Sequence, residues 1–201
     1  MTTADSADRA PRQARSRESW ERVLQAGMDL FAERGWDQLT IAEVCRRADV
    51  TPPTIYARVD GKAGLFRAVH DRWLDEVDLV VTELTAEHIH DGAPPAVAAA
   101  SAARVVLGVF ERKGAVLRAL IHRSGQDEEL LRRGGEPLRG MLAGLAATIP
   151  IPPERAAAVT RTVFGECLMR AMYGADFLEP VGESDAAFGD RVIALAQRLA
   201  G

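Results

Sequence analysis

The chain has 201 residues, room for one or two domains of ordinary size, and 47% of them are hydrophobic, which supplies a core. Aromatic residues are only 5% while alanine and leucine abound, and no run of alternating β-branched residues bounded by turn signals occurs, so the composition favours helix over sheet and predicts an all-α fold. A net charge of −4 argues against a uniformly basic surface, and with no apolar stretch of about 18 residues and no apolar N-terminal segment, neither membrane spanning nor export is expected: the protein is read as soluble and cytoplasmic.

Residues 1–14 are polar, lack a period and include Arg9 and Arg12, with Arg15 and Arg17 just beyond. They are read as a flexible arginine-containing arm, either a solvated tail or one that follows phosphates or enters a minor groove. A first helix is expected over about Ser16–Arg34, with Trp20, Val23, Leu24, Gly27, Leu30 and Phe31 on one face and Gly35 as a left-handed stop. Trp36 and Leu39 lead into TIAEVCRRADVTPPTIYARVDGK, Thr40 to Lys62, where two short helical patterns are separated by a turn too tight to be a linker. Ile41, Val44, Cys45 and Ala48 form one apolar stripe, with Glu43, Arg46 and Arg47 outward and Thr40 at the N-cap. Asp49 stands at the reversal, one of the few residues besides glycine that tolerates a left-handed conformation, and Val50 plugs the turn. Thr51 is placed as the cap of the second helix, and Pro52 and Pro53 fall in its first turn, where a missing N–H costs nothing. Ile55 and Val59 anchor that helix inward, leaving Pro52, Pro53, Thr54, Ala57 and Arg58 facing out. This is the pattern of a helix-turn-helix, spanning about 15–61. Met1 to Asp60 nevertheless carries nine arginines and no lysine against ten acids, so DNA binding here must depend on where the cations point.

A long helix from Lys62 to about Glu87 follows, striped by Leu65, Phe66, Val69, Trp73, Val77, Val80, Val81 and Leu84, and it leads into a second helical domain over 62–201. His88 and His90 close it; two residues apart on a helix they diverge, so no metal site is expected. Pro94-Pro95 opens a fifth helix to near Lys113, Gly114 interrupts it, and a sixth carries Val116, Leu117, Leu120 and Ile121. Gln126 to Thr148 reads as helical with a kink near Arg133, because Pro137 removes a bond four residues back. An eighth helix is expected from Pro153 to Tyr173 and a ninth after a Ser184 cap. Cys45 and Cys167, far apart and each within an amphipathic pattern, are read as buried free thiols.

The segment from Trp20 to Val69 resembles the DNA-binding domain of the TetR family of bacterial transcriptional regulators. The resemblance is carried by LF-E-G at the end of the first helix, the T-I-A start of the second, V-T-P-P-T-I-Y in the recognition helix, and a lysine followed by L-F. Asp49 replaces the usual turn glycine, Val59 stands where phenylalanine is commoner, and Ala63-Gly64 replaces the usual acidic or polar pair, a change expected to loosen the first turn of the fourth helix. The resemblance implies an N-terminal three-helix DNA-binding domain joined by the long fourth helix to a helical ligand-binding and dimerisation domain, about nine helices in all. It implies phosphate contacts from Thr40, Tyr56 and Lys62. The exposed tip, Thr51, Pro52, Pro53, Thr54 and Ala57, suits largely apolar contacts with thymine methyls, Thr54 can bond a base or phosphate, and Arg58 can take a guanine or a phosphate.

The family architecture further implies a homodimer on a palindromic operator of double-stranded DNA, with Phe164, Leu168, Met172, Phe188, Val192 and Leu195 as the seam, and a small, largely hydrophobic effector whose binding releases the DNA. Trp73, Phe110, Leu117, Ile121, Met141, Leu145 and Met169 are its candidate lining, with Arg104, His122, Glu166, Arg170 and Tyr173 as polar handles. No cofactor is expected. Nor is an enzyme: metal-ligand spacing, a phosphate-cradling glycine loop and a nucleophile elbow are missing from the sequence, and Glu128-Glu129 suits a helix start. The alternatives are a helical adaptor and a DNA-binding protein without an effector.

Overall fold

The computed structural model describes residues 4–124, 128–177 and 182–201. All regular structure among them is helical: α1 (Ala4–Gln38), α2 (Ile41–Ala48), α3 (Pro52–Tyr56), α4 (Gly61–His88), α5 (Pro95–Ser124), α6 (Glu128–Ala147), α7 (Pro153–Tyr173) and α8 (Asp185–Ala200). The chain divides into two compact units, Met1–Asp75 and Glu76–Gly201, and α4 contributes residues to both.

In the first unit the apolar stripes meet as their spacing requires. Val23, Leu30 and Phe31 of α1, Val44 of α2, Ile55 of α3 and Leu65 and Val69 of α4 are buried, and the Phe66 ring stands edge-on to Phe31 and Trp36, with centroids 5.1 and 4.9 Å away. Helix α1 begins at Ala4, so the stretch read as an arm without period has helical backbone from there on. The expected stop at Gly35 is a kink, with helix resuming to Gln38; its φ of 73° and ψ of −176° lie in a region essentially reserved for glycine. Helix α2 is closed at both ends. The Glu43 N–H donates to Thr40 Oγ1 (3.2 Å), Asp49 takes the left-handed conformation (φ 52°), and the Val50 N–H and Arg22 Nε donate to the Cys45 and Ala48 carbonyls, 3.1 Å each.

Thr51 does not cap α3 through its side chain. Pro53 offers no N–H and the Thr54 N–H is already taken by the Thr51 carbonyl at 2.9 Å, so the Thr51 hydroxyl lies 3.4 Å from that of Thr54 instead. The expected loosening of α4 is also absent. The helix starts at Gly61, and Gly64 is buried where an added Cβ would come within 3.1 Å of Val59 Cβ, so the small residue at 59 and the glycine at 64 fit together.

In the second unit α5 lies at the centre, its alanine-rich face (Ala98, Ala99, Ala102, Ala103) buried together with Val159 and Val163 of α7 and Val192 and Ala196 of α8. It runs unbroken through Gly114, which merges the expected fifth and sixth helices and leaves eight among the described residues. Helix α6 continues through Gly134, Gly135 and Pro137 as one helical segment, as read. Helix α8 is capped as read, with the Ala187 N–H donating to Ser184 Oγ at 3.2 Å. Both cysteines are free and buried; burial pushes the Cys167 thiol up to about 12 and raises that of Cys45. Among the described residues no helix is long and apolar enough to cross a membrane, and no group of three or more His, Cys, Asp or Glu could hold a metal.

Candidate nucleic-acid interface

The reading tip is set by one anchor. Ile55, fully buried, fixes α3 against the N-terminal core and turns Thr51, Pro52, Pro53, Tyr56, Ala57 and Arg58 to the exterior, with Thr54 half-buried. Tyr56 is 57% exposed. Thr40 is exposed at the start of α2, where unpaired amides favour an anion.

Two cations flank the tip, each seated on a tryptophan. Lys62 Nζ lies 4.3 Å from the Trp36 ring centroid and donates to the Asp37 carbonyl at 3.4 Å. The Arg58 guanidinium carbon lies 5.2 Å from the Trp20 centroid, and its Nη2 donates to both the Ser16 carbonyl (3.1 Å) and Ser16 Oγ (2.8 Å). Sequence spacing assigns Trp20 and Trp36 only apolar roles, and no local signal links either ring to a cation so distant along the chain.

Two acids of this unit, Glu33 and Glu43, are matched by neighbours. Glu43 sits between Arg34 (2.9 Å) and Arg46 (2.6 Å), and Glu33 receives two bonds from Arg47 (2.7 and 3.0 Å). The hydrogen bond from Arg46 holds the Glu43 carboxyl below its ordinary range, and that from Arg47 does the same for Glu33. Arg15 and Arg17 are exposed and, among the described residues, make no ion pair.

Of the residues read as an effector pocket, Glu166, Met169 and Arg170 line one cleft, and Phe110, Met141 and Leu145 share one core. Trp73 lies in the first unit, buried, with its indole N–H lacking a hydrogen-bond partner among the described residues. Phe110, Met141 and Leu145 pack with the core of the second unit, Phe110 edge-on to Phe164 at 5.3 Å. Leu117 and Ile121 are half-buried near the end of α5, and His122 and Arg104 are exposed. Glu166 and Arg170 instead belong to an ion-pair network along α7 and α8. Arg191 bridges Glu166 (2.9 Å) and Glu183 (3.0 Å), Arg170 donates to Asp185 and to the Glu183 carbonyl (2.7 Å each), and the Phe188 ring centroid lies 4.6 Å from the Arg170 guanidinium carbon and 5.2 Å from that of Arg191. Glu166, Arg170, Glu183, Phe188 and Arg191, with Met169 and Phe177, line a cleft, and Tyr173 stacks on Phe177 at 4.5 Å, both rings exposed.

The proposed seam also divides. Val192 and Phe188 are buried within the unit itself and Phe164 leans on its core; Leu168, Met172 and Leu195 remain partly exposed. Exposed Met169, Tyr173, Phe177 and Leu199 extend the apolar surface of this region, which periodicity did not single out.

Residues 23–69, from α1 to α4, match the family described as bacterial regulatory proteins, tetR family. The HTH-type transcriptional repressor ComR of Escherichia coli (strain K12) is 38% identical over 53 residues, which is 26% of this chain and 25% of that protein. The chain thus spans about a quarter of the length of the curated relatives it matches. The likeness of fold reaches further: the transcriptional regulator SCO7518 from Streptomyces coelicolor A3(2) superposes with a TM-score of 0.65 at 19% identity over 91% of this chain and 98% of that one. The transcriptional regulator RHA1_ro04179 from Rhodococcus sp. Rha1 gives a TM-score of 0.67 at 19% identity over 90% and 94%. The sequence match to the tetR family thus covers the head formed by residues 23–69, and the likeness of fold to these regulators runs along nearly the whole chain.

Proposed function

We propose that the protein is a sequence-specific DNA-binding transcriptional regulator, most simply a repressor, that reads a palindromic operator as a homodimer and releases it on binding a small, largely hydrophobic molecule. The observation that carries this reading is the exposed, uncharged tip of α3 with Tyr56 beside it and Arg58 and Lys62 at its flanks. In this role Pro52, Pro53 and Ala57 approach base edges, where thymine methyls suit them, while Thr54 bonds a base or phosphate. Thr40, Thr51, Tyr56 and Lys62 hold the backbone, so that phosphate contacts set the register and base contacts carry the sequence preference.

Residues 15–61 then act as the DNA-binding domain and 62–201 as the effector and dimerisation domain. One head offers few contacts, so two related by a two-fold axis are needed for useful affinity. Leu168, Met172 and Leu195, with the adjoining exposed Met169 and Leu199, supply apolar surface for that pairing. Phe110, Met141 and Leu145 are the effector-lining candidates that share one core. A DNA-binding protein without an effector is the second reading, favoured by the pairing of Glu166 and Arg170 with groups of the chain itself.

Selection of bound fragments from random or genomic DNA tests the reading directly. The expected product is a two-fold-symmetric site whose affinity falls steeply with salt. Recovery of no symmetric site refutes the proposal.

A further inference from the structure

We propose that Arg58 is a positioning residue: it ties the recognition segment to the N-terminal stretch of α1 and thereby aims Arg15 and Arg17 at phosphates flanking the site, without itself reading a base. The inference rests on the DNA-binding reading above. Arg58 is the one tip residue whose chemistry permits a bidentate guanine contact, and such a contact needs two N–H groups aimed at O6 and N7. Here Nη2 is already engaged by the Ser16 carbonyl and hydroxyl, and the guanidinium stacks over Trp20. Ser16 and Trp20 are four residues apart, hence on one face of α1, so Arg58 grips a single turn at two points.

That turn has little else to hold it. Residues 13–18 are exposed or half-buried and offer no apolar stripe, and among the described residues the side-chain hydrogen bonds reaching them across the chain come from Arg58. The other arginines of the head are committed: Arg22 to the α2 C-terminus, Arg34 and Arg46 to Glu43, and Arg47 to Glu33. Arg15 and Arg17 adjoin Ser16 on either side and, among the described residues, make no ion pair. Fixing Ser16 relative to α3 therefore fixes where these two charges project when α3 enters a groove.

The test uses the full-length protein and the duplex recovered by selection, comparing wild type with Arg58→Ala, the double variant Arg15→Ala/Arg17→Ala, and the triple variant. Removing one cation–phosphate pair lowers the magnitude of the salt slope by about 0.9, so the double variant should fall by about 1.8 per protomer. Arg58→Ala should fall as much, the triple variant no more than either, and the base preferences of Arg58→Ala should match wild type at every position. In the DNA-free protein, amide exchange over residues 13–20 should accelerate about tenfold in Arg58→Ala and stay unchanged in the double variant. Ser16→Ala removes no charge, yet should show part of both effects.

A changed base preference at one operator position in Arg58→Ala means that Arg58 reads a base. Additive slope decreases in the triple variant mean that it grips a phosphate independently, and unchanged amide exchange means that it holds nothing. Each of these overturns the inference alone. Failure of wild type to retain any duplex refutes the DNA-binding reading and this inference together.

Discussion

Two glycine-to-alanine substitutions should have opposite signs, although both positions read as helix breaks in the sequence. At Gly35 the backbone lies at φ 73° and ψ −176°, and an added Cβ would meet no atom within 4 Å, so the whole cost is torsional. Holding a residue with a Cβ there costs about 1–3 kcal/mol. The narrower unfolded ensemble of alanine returns about 0.4–1 kcal/mol, so Gly35→Ala should destabilise the first unit by about 1–2 kcal/mol. Gly114 sits inside α5 with open space at its Cβ, and alanine there should stabilise the helix by about 0.5–1 kcal/mol. Urea unfolding separates the two, because Trp20, Trp36 and Trp73 all lie in the first unit and their fluorescence reports on it, while far-UV circular dichroism follows α5. With a denaturant slope of about 1–3 kcal/mol/M, Gly35→Ala should lower the fluorescence midpoint by roughly 0.5–1 M at unchanged slope. A midpoint equal to or above wild type for Gly35→Ala, or one lowered by Gly114→Ala, refutes the reasoning.

Lys62→Ala should weaken operator binding and lower the magnitude of the salt slope by about 0.9 per protomer; an unchanged slope in filter binding or anisotropy removes Lys62 from the phosphate contacts. The buried thiols should resist a disulfide reagent at pH 8 and react fully in urea, as a time course of thiol release will show. Because burial lifts Cys167 to about 12, above its unfolded value near 8.5, its contribution to stability is intact below that lower value and is lost as pH rises toward 12, which melts taken across pH 8–11 will register as a falling midpoint. At the seam, Leu168→Arg should yield monomers in light scattering with helicity retained. Val192→Ala, at a fully buried core position, should cost about 2 kcal/mol and leave the oligomeric state unchanged.

The features legible in the sequence are those decided within about five residues. Thr40 and Ser184 cap because a hydroxyl precedes a free amide three residues on, and Asp49 turns the chain because its own torsion permits it. The same locality misled at Gly114, where packing of the long helix outweighs a propensity cost of about 1 kcal/mol for glycine. Thr51 failed as a side-chain cap for a local reason that was available, since Pro53 supplies no amide. The seam was harder. Helix α8 is apolar on more than one side, and periodicity alone does not say that Phe188 and Val192 face inward while Leu195 stays partly open. The engagement of Arg58 by Ser16 joins residues 42 apart and has no signature in either segment.

The acidic balance of the chain becomes compatible with a polyanionic partner once charge is counted by position. In the reading head Glu33 and Glu43 are bound by Arg34, Arg46 and Arg47, so those acids and cations largely cancel where they stand. Lys113 likewise pairs with Glu76 at 2.6 Å and Arg112 with Glu83 at 2.8 Å in the second unit. Among the described residues, the charges left without a carboxylate partner around the tip are Arg15, Arg17, Arg58 and Lys62, and the last two are held over indole rings rather than extended into water. A cation on an aromatic face keeps its full charge while giving up part of its hydration and rotamer freedom, so less ordering remains to be supplied when a phosphate arrives. Because charges are screened over about 8 Å at physiological salt, a phosphate at contact distance responds to where these four cations stand more than to the −4 total of the chain.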